Sequence, residues 1–268
     1  MSKDGDEERL PQVLYSCNTD IKRESEKFLS QHAFTHIFEG SLAIDTGADR
    51  QTYQAGDTLL VKRNQLVRSV KYPGASGQMR SITVFFSQER LRDFALTDVP
   101  KAVNPYTGKS IVQLRRDPLY AAYAASLVPY ESNASQSLEA ITVLKTHEAV
   151  LLLVQLDPAV KQMLFDFSEP GKIDLEAYMK QHFTFNVELK RFAYLTGRSV
   201  ATFKRDFEKV FHMSPSRWLL QKRLQEAHYQ IKEKGRRPSD VYLEVGFEDL
   251  SHFSFAFKKT YGVAPSLV

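Results

Sequence analysis

His32, His36 and Glu39 are the residues in the first part of the chain whose types suit a metal ion, since imidazole and carboxylate are common ligands of zinc and iron. Their spacing speaks against that chemistry. In a strand, His32 and His36 share one face with Phe34 and Phe38, while Glu39 points the other way and begins a turn. The usual His-x-His pair is absent, so ordinary strand residues are expected here, and no metal. His147 has no evident partner, and the single cysteine, Cys17, reads as a packed or lone thiol. The sequence has neither a P-loop nor a nucleophile elbow. Together these residues predict no enzyme and no cofactor.

The other chemistry is that of cations facing a polyanion. Between Ile173 and Val268 there are 16 Lys and Arg against 11 Asp and Glu, whereas the first 172 residues carry 20 against 21. All of the excess positive charge behind the net +4 therefore sits in the C-terminal third. Neutralising phosphates releases counterions, so this surplus suits a polyanion such as double-stranded DNA or RNA; the other reading of the charge alone is a mildly basic solvated surface. Lys204 and Arg205 could donate to bases if their helix enters a major groove, a solvated face being the other reading, and Arg236 and Arg237 are expected to meet phosphates or solvent.

The elements that must position these residues fall in two stretches. Phe34–Glu39, Ser41–Asp45, Tyr53–Lys62, Leu66–Tyr72 and Arg80–Phe86 are expected strands, rich in aromatic and β-branched residues and separated by glycine turns. They predict a small antiparallel barrel or sandwich. From about Ser87 the pattern turns helical. Leu138, Ile141, Leu144, Ala149, Leu152, Leu153 and Leu156 predict a long helix with Ser137 as cap, either a buried connector or half of a dimer interface. Residues 168–171, Ser-Glu-Pro-Gly, read as a linker, which gives an α+β chain of two domains, 1–168 and an all-α 173–268. One cysteine allows no internal disulfide, the first ten residues hold no apolar signal core, and the longest apolar run, Ala149–Val154, falls far short of the ~20 residues of a membrane span. A cytoplasmic protein without membrane contact is expected.

The C-terminal stretch contains a repeat with an offset of 50 residues. Thr196–Phe203 lies over Gly246–Phe253, and Phe207, Lys209, Phe211, Pro215 and Ser216 match Phe257, Lys259, Tyr261, Pro265 and Ser266. In the first copy a helix capped by Asn186 is expected to stop at Gly197, and Ser199 to cap a second one. On that second helix Val200, Phe203, Phe207, Val210 and Phe211 are expected inside, with Ala201, Lys204, Arg205 and Glu208 outside. In the second copy Gly246 turns, Asp249 caps, Leu250, Phe253, Phe257 and Tyr261 face inward, and Ser251, Ser254, Phe255 and Lys258 face outward. Each copy reads as a helix-turn-helix. Ser214 and Pro215 open a connecting helix ending near Gly235; about 20 residues span roughly 30 Å, which suits two recognition helices in successive major grooves about 34 Å apart.

From about Asp174 to Val268 the chain resembles the AraC family of bacterial transcription regulators. The resemblance rests on residues 223–227 (Arg-Leu-Gln-Glu-Ala), on 245–254 followed by 256–259, and on the closing 262–266 (Gly-Val-Ala-Pro-Ser). It implies a seven-helix DNA-binding domain. Carried over by position, Ala201, Lys204 and Arg205 would read bases first, and Leu250, Ser251, His252 and Phe255 second. Arg198, Ser199, Arg236 and Arg237 complete the expected DNA-binding set. Phe255 departs from the family, many of whose members carry a basic residue there; two readings stay open, contact of Phe255 with a thymine methyl or a second unit that mainly grips the DNA backbone. The strands resemble the cupin-like regulatory domain of the same family, in the branch of type III secretion activators. That resemblance implies a small-molecule effector or a regulatory protein as partner, dimerisation through the following helices, and contact with RNA polymerase. The alternative is a cupin-type small-molecule or metal-binding protein whose helical tail is a protein-interaction module.

Overall fold

The computed structural model describes residues 12–23, 27–98, 105–133 and 139–268. The chain divides into two compact units, with the main break between Ser168 and Glu169.

The first unit holds two five-stranded sheets. One has the order β1 (Val13–Asn18), β9 (Met79–Phe86), β4 (His32–Glu39), β7 (Thr58–Val61), β10 (Ile111–Gln113). The other runs β2 (Lys22–Arg23), β8 (Gln65–Tyr72), β5 (Ser41–Asp45), β6 (Arg50–Gln54), with β3 (Lys27–Leu29) also pairing to β8. Register explains why β4 is buried along most of its length. Val112, Leu60, Phe34, Val84 and Val13 stand opposite one another across the first sheet, and all five belong to the core shared with the helices. The next row, Ile111, Val61, Ala33 and Phe85, points to the opposite face and joins Leu42, Ile44 and Tyr53 of the second sheet. Side chains alternate along a strand, so a central strand covered on both faces is apolar at nearly every position.

Helices α1 (Gln88–Asp98), α2 (Pro118–Leu127), α3 (Glu139–Leu156) and α4 (Lys161–Leu164) supply the other side of that core through Leu91, Phe94, Tyr120, Tyr123, Val150, Leu153 and Met163. On α3, Ala149, Val150 and Leu153 are buried, whereas Leu144 and Leu151 are exposed. Three expectations need correction or limit. The predicted strand Tyr53–Lys62 is two strands, because Gly56 sits at positive φ and breaks it. β1 and β10, the two edges of the first sheet, had no reading in the sequence. The proposed cap Ser137 lies outside the described residues.

The second unit contains α5 (Leu175–His182), α6 (Leu189–Leu195), α7 (Val200–Phe211), α8 (Pro215–Lys232), α9 (Pro238–Glu244) and α10 (Leu250–Tyr261), then a single 3-10 turn at Pro265–Leu267. The resemblance implied seven helices; six α-helices and that closing turn are found. No described helix is long and apolar enough to cross a membrane.

Candidate nucleic-acid interface

Each helix-turn-helix is fixed from inside by phenylalanines and from its ends by caps. Phe203 and Phe207 of α7 are fully buried, and Phe207, Phe211 and Phe183 surround Trp218 at the start of α8, with ring centroids 5.5, 4.5 and 6.4 Å away. Further along α8, Leu224, Ala227 and Ile231 meet Val241, Val245, Phe253 and Phe257 of the second copy. One helix of 18 residues, about 27 Å long at 1.5 Å per residue, thus serves both cores. The Ser199 hydroxyl accepts from the Thr202 amide at 3.2 Å and Asp249 accepts from the His252 amide at 2.6 Å, so both second helices start from a satisfied N-cap.

The turns are tight at both glycines. Gly197 has φ +65 and Gly246 φ +95. A Cβ at Gly246 would stand 2.4 Å from the Thr184 carbonyl oxygen, so glycine is required there by approach as well as by conformation. The same place is gripped by Arg223 of α8. Its Nε donates to Phe183 O at 2.8 Å, its Nη2 to Phe185 O at 2.8 Å, and its Nη1 to Gly246 O at 3.0 Å and Asn186 Oδ1 at 3.3 Å. Asn186 in turn donates to Glu248. One guanidinium therefore ties the loop before α6 to the turn before α10, using the fork geometry that lysine lacks.

Three expectations about this unit are corrected by that geometry. Asn186 does not cap α6; the cap position is Glu188, and Asn186 belongs to the Arg223 network. Val200 and Val210 are exposed, because α7 has only Phe203 and Phe207 deeply inside. Leu250, expected inside, is 39% exposed at the first turn of α10.

The expected DNA-binding residues separate into two sets. Ser199, Ala201, Lys204, Arg205, Arg237, Leu250, Ser251, His252 and Phe255 are exposed. Arg205 has 65% of its side chain in solvent, and Phe255 is 69% exposed. Arg198 and Arg236 are placed otherwise. The Arg198 side chain is 7% exposed and donates to Asp206, to Thr196 O and to Ile173 O, which holds the Asp206 carboxyl below its usual range. Arg236 makes two hydrogen bonds to Glu244 at 2.6 and 3.0 Å. Both guanidiniums are used within the fold. Arg223 had no functional reading in the sequence beyond its place in the matching motif. Its signal is an arginine directly before the buried Leu224 and four positions before the buried Ala227.

In the first unit the metal candidates are each engaged separately. His32 accepts from the Arg63 amide at 3.3 Å through Nδ1, His36 pairs with Thr58 at 2.8 Å, and Glu39 accepts from Ser76. Burial, then the nearby Arg63 and Lys62, pushes His32 down to about 3. Among the described residues no group of three or more His, Cys, Asp or Glu is arranged to hold a metal.

Comparison with known proteins agrees with this geometry. Residues 192–268 match the family described as a helix-turn-helix domain, and residues 32–165, half of the chain, match the ExsA N-terminal regulatory domain. The chain is 23% identical to the HTH-type transcriptional regulator ExsA of Pseudomonas aeruginosa over 257 residues, 94% of this chain and 91% of ExsA. It is 25% identical to the virulence regulon transcriptional activator VirF of Yersinia enterocolitica over 155 residues, 53% of this chain and 56% of VirF. A crystal structure of an apo ToxT variant from Vibrio cholerae aligns over 96% of this chain and 97% of its own, at 13% identity and a TM-score of 0.45. Two capped helix-turn-helix units on one shared helix, in a chain that also carries a regulatory domain, define a DNA-binding transcription regulator. The chain belongs to the AraC family of such regulators.

Proposed function

We propose that α7 and α10 enter successive major grooves on one side of a duplex, with the residues from about Ile173 onward acting as a self-sufficient DNA-binding domain. The observation that carries this reading is the pair of capped second helices, each with a buried phenylalanine face and an exposed opposite face, built on one α8 of about 27 Å. Ala201, Lys204 and Arg205 read the first groove; Leu250, Ser251, His252 and Phe255 face the second. Ser199 and Arg237 contact phosphates. Arg198 and Arg236, already committed to Asp206 and Glu244, act as scaffold. The first 168 residues sense a small molecule or a regulatory protein, and the exposed Leu144 and Leu151 of α3 offer a surface for homodimerisation. RNA polymerase is the further partner. The relatives are transcription regulators, and the function needs no catalytic step and no membrane.

Selection of the full chain on randomised duplex DNA, followed by footprinting, tests this reading. Two protected major-groove segments about one helical turn apart are expected. A fragment of residues 171–268 that is well folded by circular dichroism but has no DNA affinity at low salt would sink the assignment.

A further inference from the structure

The repeat offset of 50 residues sets Phe255 of α10 where α7 has Arg205, and Ser254 where α7 has Lys204. The two copies present these positions alike: Arg205 and Phe255 are both largely in solvent, on the face opposite the buried Phe203 and Phe207 or Phe253 and Phe257. Their chemistry differs. α7 offers two cationic donors. α10 offers an aromatic ring, and the Ser254 hydroxyl is turned back to Leu250 O at 2.8 Å. Around Phe255 on the helix surface lie Ser251 and His252 one turn before and Lys258 and Lys259 one turn after, all exposed. The ring thus sits in the middle of a polar, cation-flanked face. In the major groove the one apolar group on a base edge is the thymine 5-methyl, and an aromatic side chain is a fitting contact for it.

We infer that Phe255 makes α10 a reader of thymine methyl groups, so that the two units of this chain read different chemistry: guanine acceptors through Lys204 and Arg205, a methyl through Phe255. The inference rests on α10 entering the major groove. It assigns the second half-site a thymine facing Phe255, with the two lysines flanking toward phosphates.

The test uses the full chain and the duplex that emerges from selection on randomised DNA. Each thymine in the second protected segment is replaced singly by deoxyuridine, which lacks only the 5-methyl. Losing one buried methyl is expected to weaken wild-type binding about fourfold at one or two positions. Replacing such a thymine·adenine pair by 5-methylcytosine·guanine should bind more tightly than the same pair with plain cytosine. In Phe255→Ala, whose side chain is exposed and whose fold should be retained, the deoxyuridine penalty should vanish. In Arg205→Ala it should persist unchanged. Deoxyuridine tolerated at every thymine of that segment, or a penalty that survives Phe255→Ala, overturns the inference while two footprinted segments still stand. A Phe255→Ala protein that binds DNA like wild type but loses a protein partner overturns it as well. A footprint confined to one segment would instead remove the groove placement of α10 on which it depends.

Discussion

Where α7 carries Arg205, α10 carries Phe255, yet the residues two positions earlier in each, Phe203 and Phe253, are equally buried and do the same packing. The caps agree in kind, Ser199 and Asp249, and so do the turn glycines 197 and 246. The helices also end alike, in left-handed residues, His212 and Gly262. The two copies therefore keep what builds the unit and differ in what it shows to solvent. Packing and backbone geometry allow few residue types at a given position, whereas an exposed face tolerates many and is free to be specialised. A repeated scaffold with diverged outer faces is what the proposed reading of two unlike half-sites requires.

The sharpest way to break this comparison is to strike the shared part. Phe207→Ala removes a fully buried ring at the centre of the first copy and should cost about 3–5 kcal/mol, measured by urea denaturation of the protein. Val200→Ala, on the same helix but exposed, should stay within about 0.5 kcal/mol. Equal losses for the two would mean that the inner face of α7 is wrongly assigned. Next in size is Arg223→Ala, which leaves the Phe183, Phe185 and Gly246 carbonyls without their shared donor. A loss of about 2–4 kcal/mol is expected, with little rescue by Arg223→Lys, since an ammonium cannot hold three carbonyls in one fork. A stable Arg223→Ala variant would show that the two copies do not depend on this clasp.

These two positions also mark how much was legible beforehand. Phe207 could be read, because a helical period of phenylalanines repeated 50 residues later has few other meanings. The caps and turn glycines were readable for the same reason: their residue types are demanded by backbone geometry. Arg223, Arg198 and Arg236 were not. Whether an arginine faces solvent or folds back onto carbonyls and carboxylates depends on tertiary neighbours that no local spacing encodes. Asn186 failed similarly: it has a capping residue's type, but its side chain accepts from Arg223 of α8, 37 residues away, and donates to Glu248 in the turn before α10. In the first unit the strands flanked by glycine turns could be seen. β1 and β10 could not, since their burial patterns are mixed and they find their place only by pairing with β9 and β7.

A finer test addresses the outer face alone. Arg205→Ala should leave stability nearly unchanged and lose about 1–3 kcal/mol of discrimination at one or two base pairs, seen as a flattened preference in selections on randomised DNA. Arg198→Ala should do the reverse, lowering stability while the preferred site is kept, because its guanidinium holds Asp206 and two carbonyls. If Arg205→Ala weakens all sequences equally, Arg205 touches phosphate and the first recognition helix is turned differently in its groove.

The smallest expected effect concerns Arg237, which precedes α9 and has 81% of its side chain in solvent beside Asp240 at 3.0 Å. An exposed pair of this kind contributes little to stability, so the side chain can exchange Asp240 for a phosphate at small cost. A phosphate contact carries no sequence information of its own. It releases roughly one counterion, which makes affinity depend on salt. Arg237→Ala should therefore weaken binding by a similar factor on preferred and unrelated duplexes, and the slope of log affinity against log salt should fall by about one. Arg236→Ala provides the contrast, since its guanidinium is occupied by Glu244 through two hydrogen bonds and should leave the salt slope unchanged. Titrations at several salt concentrations separate the two. A slope that falls for Arg236→Ala and not for Arg237→Ala would mean that the Glu244 pair opens on the DNA, and that the second copy meets the backbone through the residue that the free protein keeps folded in.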